Sequence, residues 1–155
     1  MIETLKPSVL VTGGAGYIGS HAVLALKDAG WPVAVIDNLS TGFRFAVDDD
    51  VSFYEGDIED SDLLARIFAE QGTRAIMHFA GSIIVPESVE DPLKYYHNNT
   101  VKSRALIAAA VAASVRPVAR AGVERDPQGH QRGARVPDWR EDEAAGARRA
   151  GDARL

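Results

Sequence analysis

Val9-Leu10-Val11-Thr12-Gly13-Gly14-Ala15-Gly16-Tyr17-Ile18-Gly19 joins a stiff apolar run to four glycines in seven residues. Glycine inside a strand or helix costs about 0.5–1 kcal/mol relative to alanine, so such a cluster needs a use that only a missing Cβ serves. A strand running into Gly13, Gly16 and Gly19, with a helix opening behind them, supplies one. The turn can close tightly, its backbone can approach a pyrophosphate, and the free N–H groups of the helix N-terminus can meet the anion. Gly19 is expected to let the helix pack close to the strand.

The rest of residues 1–116 repeats this alternation. Ser8–Thr12, Val33–Asp37, Val51–Tyr54 and Ala75–Phe79 are short apolar runs that read as strands. Tyr17–Ala29 carries Ile18, Val23, Leu24 and Leu26 and stops at Gly30, a residue suited to a helix C-terminus. Ser61–Gln71 reads as a second helix with Ser61 as N-cap and Leu63, Leu64, Ile67 and Phe68 as its apolar stripe. Asp91-Pro92 opens a third, whose face runs through Leu93, Tyr96, Val101, Leu106 and Ile107. The rhythm βαββαβα implies an α/β fold: part of a doubly wound, Rossmann-like parallel sheet with helices on its faces, cut off after the fourth strand. Asp37 ends the second strand, 18 residues after Gly19. A carboxylate there accepts hydrogen bonds from a ribose 2′-OH and repels a 2′-phosphate, which favours NAD over NADP.

Composition narrows the classes. With no cysteine, the chain has no disulfide, thiolate metal site or cysteine nucleophile, which fits a reducing cytoplasm. The start, MIETLKPS, shows no signal peptide, and no apolar run approaches the ~20 residues that span a membrane. A net charge of −5 argues against nucleic acid as a partner. Near Arg116 the composition changes. Residues 117–155 hold eight Ala, eight Arg, five Gly and three Pro but no Lys, Ser, Thr, Asn, Ile, Phe or Tyr, and their few large apolar residues follow no period. Such a segment buries too little to offset its ordering entropy and reads as a low-order tail with a short helix at Arg140–Arg149. Acidic residues interleave its arginines, which weighs against an RNA-binding arm. Residues favoured by GC-rich codons dominate it, as a frameshift near Ser114–Pro117 in a GC-rich gene would produce.

The stretches VTGGAGYIGSH, VIDNLSTG, YEGDIED, IMHFAGSIIVPESVEDPLKYYHNN and TVKSRALI resemble the UDP-glucose 4-epimerases, a family of the extended short-chain dehydrogenase/reductase superfamily. The resemblance runs from about Val9 to Ala113. It implies NAD as cofactor, a UDP-sugar substrate, a possible homodimer, and a set of contacts carried by matching positions. Gly13, Gly16, Tyr17, Ile18 and Gly19 would hold the pyrophosphate, with Asp37 and Asn38 on the adenosine ribose. Asp57 and Ile58 would address the adenine, through a side-chain acceptor and an apolar contact. Phe79, Ala80 and Gly81 would line the ligand crevice, and Asn98 would stand near the nicotinamide side. Ile83 occupies a position where some members place a lysine. The glycine motif and Asp37 alone would also fit sugar-nucleotide dehydratases and decarboxylases of the superfamily.

The resemblance also implies a catalytic Tyr-x-x-x-Lys pair, in which the ammonium stabilises a phenolate one helical turn away. Four residues beyond Tyr17, Tyr54, Tyr95 and Tyr96 stand His21, Ile58, Asn99 and Thr100, so no catalytic residue and no metal ligand is assigned. An NAD-binding fragment without turnover and an interaction partner of a full-length homologue are therefore the competing classes. His78, within an apolar run, is expected to be a satisfied core histidine, and His21 a structural or surface one. Asp48–Asp50 reads as a solvated loop, and Tyr95 and Tyr96 as anchors of the third helix.

Overall fold

A computed structural model of the chain describes residues 7–115. The readings made for the tail, its disorder, short helix and altered frame, lie outside these residues.

Strands β1 (Ser8–Thr12), β2 (Val33–Asp37), β3 (Ser52–Glu55) and β4 (Thr73–His78) form one parallel sheet in the order β3-β2-β1-β4. β1 is central: Val9 pairs with Val33 on one side and Ala75 on the other. Helix α1 (Tyr17–Asp28) connects β1 to β2, and α2 (Ser61–Gln71) connects β3 to β4. Side chains alternate across a strand, so a sheet covered on both faces needs an unbroken apolar run. Leu10, Ala34, Ile36 and Ile76 pack with Leu64, Ile67 and Phe68 of α2. Val9, Val11 and Val35 pack on the opposite face with Val23 and Leu26 of α1.

Several boundaries move from their expected places. The third and fourth strands are Ser52–Glu55 and Thr73–His78 rather than Val51–Tyr54 and Ala75–Phe79. The cap of α2 is Asp60, not Ser61: its carboxylate accepts N–H bonds from Asp62 and Leu63. Gly30 does take a left-handed conformation after α1, at φ 69°. A short helix, α3 (Val85–Glu90), was not expected, because none of its residues is buried and no apolar stripe announces it. The third expected helix is α4 (Pro92–Tyr96), a π-helical turn (His97–Val101) and α5 (Lys102–Ala112). Asp91 caps it through the N–H of Lys94, as its sequence suggested. Leu106 and Ala110 of α5 complete the α2 side of the core.

Candidate cofactor site at the carboxyl ends of the strands

The order in which strands are added reverses at β1: β2 and β3 lie on one side of it and β4 on the other, all parallel. In open parallel sheets the crevice at such a point, beyond the carboxyl ends of the strands, is where ligands bind. The residues selected from the sequence lie at the carboxyl ends of strands or just beyond them, except Asn98, which stands in the π-helical turn and bonds the loop after β4. Gly13, Gly16, Tyr17, Ile18 and Gly19 follow β1, Asp37 ends β2 and Asn38 follows it, Asp57 and Ile58 follow β3, and Phe79, Ala80 and Gly81 follow β4.

Two glycines make the first turn possible. Gly13 has φ +69°, and a Cβ on it would stand 2.6 Å from the backbone nitrogen of Ala80. A Cβ on Gly19 would stand 2.1 Å from the carbonyl oxygen of Gly13. Gly19 thus lets the helix close on the turn itself, a correction to the expected contact with the strand. Gly16 is the N-cap residue of α1; no side chain caps this helix, and its first turn holds no acid. A Cβ on Gly16 would meet only the Gly13 oxygen, at 3.3 Å, so its outer side is open. An uncapped N-terminus with its positive dipole end and open space in front can seat a phosphate-bearing ligand.

Asp37 is 8% exposed and braces this turn. Its Oδ2 accepts the N–H of Ala15 at 2.9 Å and its Oδ1 that of Leu39 at 2.8 Å. The second bond holds Leu39 at φ 56°, a left-handed conformation that side chains disfavour. Each carboxylate oxygen keeps a further lone pair, so a ligand hydroxyl can still be accepted. The sequence pointed to this carboxylate but not to its backbone partners.

Asn38 and Asp57 are directly joined, Nδ2 to Oδ2 at 3.1 Å. Lys102, which no spacing in the sequence singled out, stands 2.5 Å from the same Oδ2. Burial tends to raise the Asp57 carboxyl, but hydrogen bonds from Lys102, Asn38 and the Glu59 amide outweigh it and hold its pKa below the usual range. Glu59 is also 3.3 Å from His97 Nε2. Ile58 is 5% exposed and its side chain belongs to the core with Leu64 and Ile67, a correction to the expected apolar contact with an adenine.

Beyond β4 the loop is stapled by two asparagines. Asn98 Nδ2 donates to Ser82 Oγ at 2.9 Å, while Asn99 accepts the Ser82 N–H at 2.8 Å and donates to its carbonyl at 2.9 Å. Ile83, beside them, is 85% exposed. His78 is satisfied, as expected, but it is not a core residue: it stands partly exposed at the end of β4, its ring packed between Thr12 Oγ1, 2.7 Å from Nδ1, and Ser103 Oγ, 3.0 Å from Nε2. Burial of the ring lowers its pKa. Tyr95 is buried and bonded to Ile84 and Glu87, whereas Tyr96 is exposed and anchors nothing in the core. Asp48 and Asp50 pair with Lys27, and Asp49 with Arg44, so the acidic run is an ion-paired loop.

The family model described as the NAD dependent epimerase/dehydratase family matches residues 9–124, past the change in composition at 116. UDP-glucose 4-epimerase of Azospirillum brasilense is 54% identical over 110 residues, covering 71% of this chain and 32% of the relative. That of Lactobacillus helveticus is 52% identical over 108 residues, covering 70% and 33%. The chain thus spans about a third of the length of these curated relatives. Among solved structures, the Thermus thermophilus UDP-glucose 4-epimerase complex with NAD superposes with TM-score 0.68 at 34% identity, covering 81% of this chain and 44% of that one. The Brucella ovis UDP-glucose 4-epimerase in complex with NAD gives TM-score 0.69 at 36% identity, covering 83% and 42%.

Proposed function

This chain belongs to the NAD dependent epimerase/dehydratase family, and we propose that residues 1–116 are the NAD-binding half of an enzyme that interconverts UDP-glucose and UDP-galactose in cytoplasmic galactose metabolism. The observation that supports this most is the pairing of an uncapped helix N-terminus with a carboxylate, Asp37, hydrogen-bonded into the same glycine turn. The turn from Gly13 to Gly19 cradles the pyrophosphate, and Asp37 with Asn38 binds the adenosine ribose. Asp57 meets the adenine; Phe79, Ala80 and Gly81 line the ligand crevice, and Asn98 stands near the nicotinamide side. The bound dinucleotide supplies a hydride acceptor for transient oxidation of the sugar and the donor for its return.

Moving the hydroxyl proton of the sugar is, by the resemblance, the task of a Tyr-x-x-x-Lys pair, and no tyrosine of these 155 residues stands four residues before a lysine. Residues 117–155 are, on this reading, translated from a shifted frame; an apolar strand and a Tyr-x-x-x-Lys motif in another frame downstream of codon 115 would support that, and their absence from both frames would exclude it. The activity test uses the purified 155-residue chain with NAD and UDP-galactose. No turnover is expected, and steady epimerisation in a preparation free of host enzyme would overturn the assignment of these residues as a cofactor half alone.

A second reading, an interaction partner of a full-length homologue, draws on the apolar residues Val85, Val89 and Leu93, which are 72%, 77% and 78% exposed. Co-purification with such a homologue, independent of NAD, separates it from the first.

A further inference from the structure

Asp57 is held from outside its own loop. Lys102 Nζ lies 2.5 Å from Asp57 Oδ2 and 3.7 Å from Glu59 Oε1, with only 16% of its side chain accessible. Asn38 Nδ2 donates to the same Oδ2, while Oδ1 receives the Glu59 amide at 3.2 Å. Two donors on one oxygen fix the rotation of the carboxylate and leave the spare acceptor position on Oδ1. The partners are 45 residues apart in sequence. Lys102 comes directly after the π-helical turn. The extra residue of such a turn rotates the helix beyond it by about 100° around its axis, so the register of α5 decides whether position 102 faces this loop.

We propose that Lys102 is a positioning residue for recognition of a purine 6-amino group: together with Asn38 it holds Asp57 Oδ2, so that Oδ1 accepts a hydrogen bond from the exocyclic amine of an adenine lying beyond β3. The inference rests on the reading of this edge as an NAD site. The ammonium also offsets the charge of Asp57 and Glu59, two carboxylates that a dinucleotide carrying its own negative charge must otherwise approach. A shorter or neutral side chain at 102 leaves Asp57 tethered by Asn38 and the Glu59 amide alone, free to turn its spare lone pair away.

Titration of the full chain with NAD and with its hypoxanthine analogue, in which a carbonyl oxygen replaces the 6-amino group, tests this chemically. The unaltered chain should bind NAD about tenfold more tightly than the analogue, the scale of one hydrogen bond to a charged group. Lys102→Met should lose most of that preference by weakening NAD binding while leaving the analogue nearly unchanged, and Lys102→Arg should restore it. If Lys102→Met does not fold, Lys102→Gln carries the same comparison. A purely structural role would weaken both ligands equally; that outcome, or no change in either, overturns the proposal and leaves the NAD site standing. Failure of the unaltered chain to bind either dinucleotide overturns the NAD site, and this inference with it.

Discussion

His78 shows how a single residue at the site couples protonation to the fold. Ser103 Oγ donates to the carbonyl of Asn99, so it must accept from His78 Nε2–H, which leaves Nδ1 to accept from the Thr12 hydroxyl. This arrangement needs the neutral ring with its proton on Nε2. Burial lowers the imidazole pKa below its ordinary 6.5. The folded chain therefore binds fewer protons than the unfolded one as pH falls below that value. The stabilisation is fully present above pH ~6.5 and is lost as pH falls through the folded pKa. Thermal melts between pH 7.5 and 5 should show a steeper acid loss for the unaltered chain than for His78→Gln, and parallel curves would contradict the role. The sequence marked this histidine as part of an apolar strand but not its partners, because a hydroxyl 66 positions away in the chain leaves no local signal. Asp37 was different: its place at the end of a strand after a glycine turn was legible, and only its bonds to the Ala15 and Leu39 amides needed coordinates.

At the scale of elements, apolar runs and their terminators carried most of the reading. Leu10, Val11 and Ile36 are fully buried, so their strands had to appear as unbroken apolar runs. The cap of α2 was misplaced by one residue, since Asp60 and Ser61 are both good caps and only geometry selects between them. Asp60→Ala should cost about 1 kcal/mol of stability, whereas Ser61→Ala should cost much less. Denaturant melts giving the reverse order would contradict the assignment of the cap. Helix α3 and the π-helical turn were not legible for physical reasons. An exposed six-residue helix leaves no buried stripe, and one added residue does not alter the apolar pattern enough to be recognised. That turn nevertheless sets the register of Lys102 and places Asn98 and Asn99 on Ser82.

For the whole molecule, β4 is an outer strand of the sheet among the described residues, and Val85, Val89 and Leu93 are exposed nearby in sequence. An open parallel edge presents unpaired N–H and C=O groups and invites association. The 155-residue chain should therefore melt broadly and associate, with NAD raising the transition in proportion to its occupancy. A sharp two-state melt of a monodisperse monomer without ligand would contradict this. The central claim, however, is that the glycine turn and Asp37 together form an NAD site. Calorimetric titration of the unaltered chain with NAD and with NADP tests it most directly. NAD should bind and NADP should bind much more weakly, because the carboxylate of Asp37 meets a 2′-phosphate in place of a hydroxyl; equal affinity for the two, or binding of neither, would contradict the account.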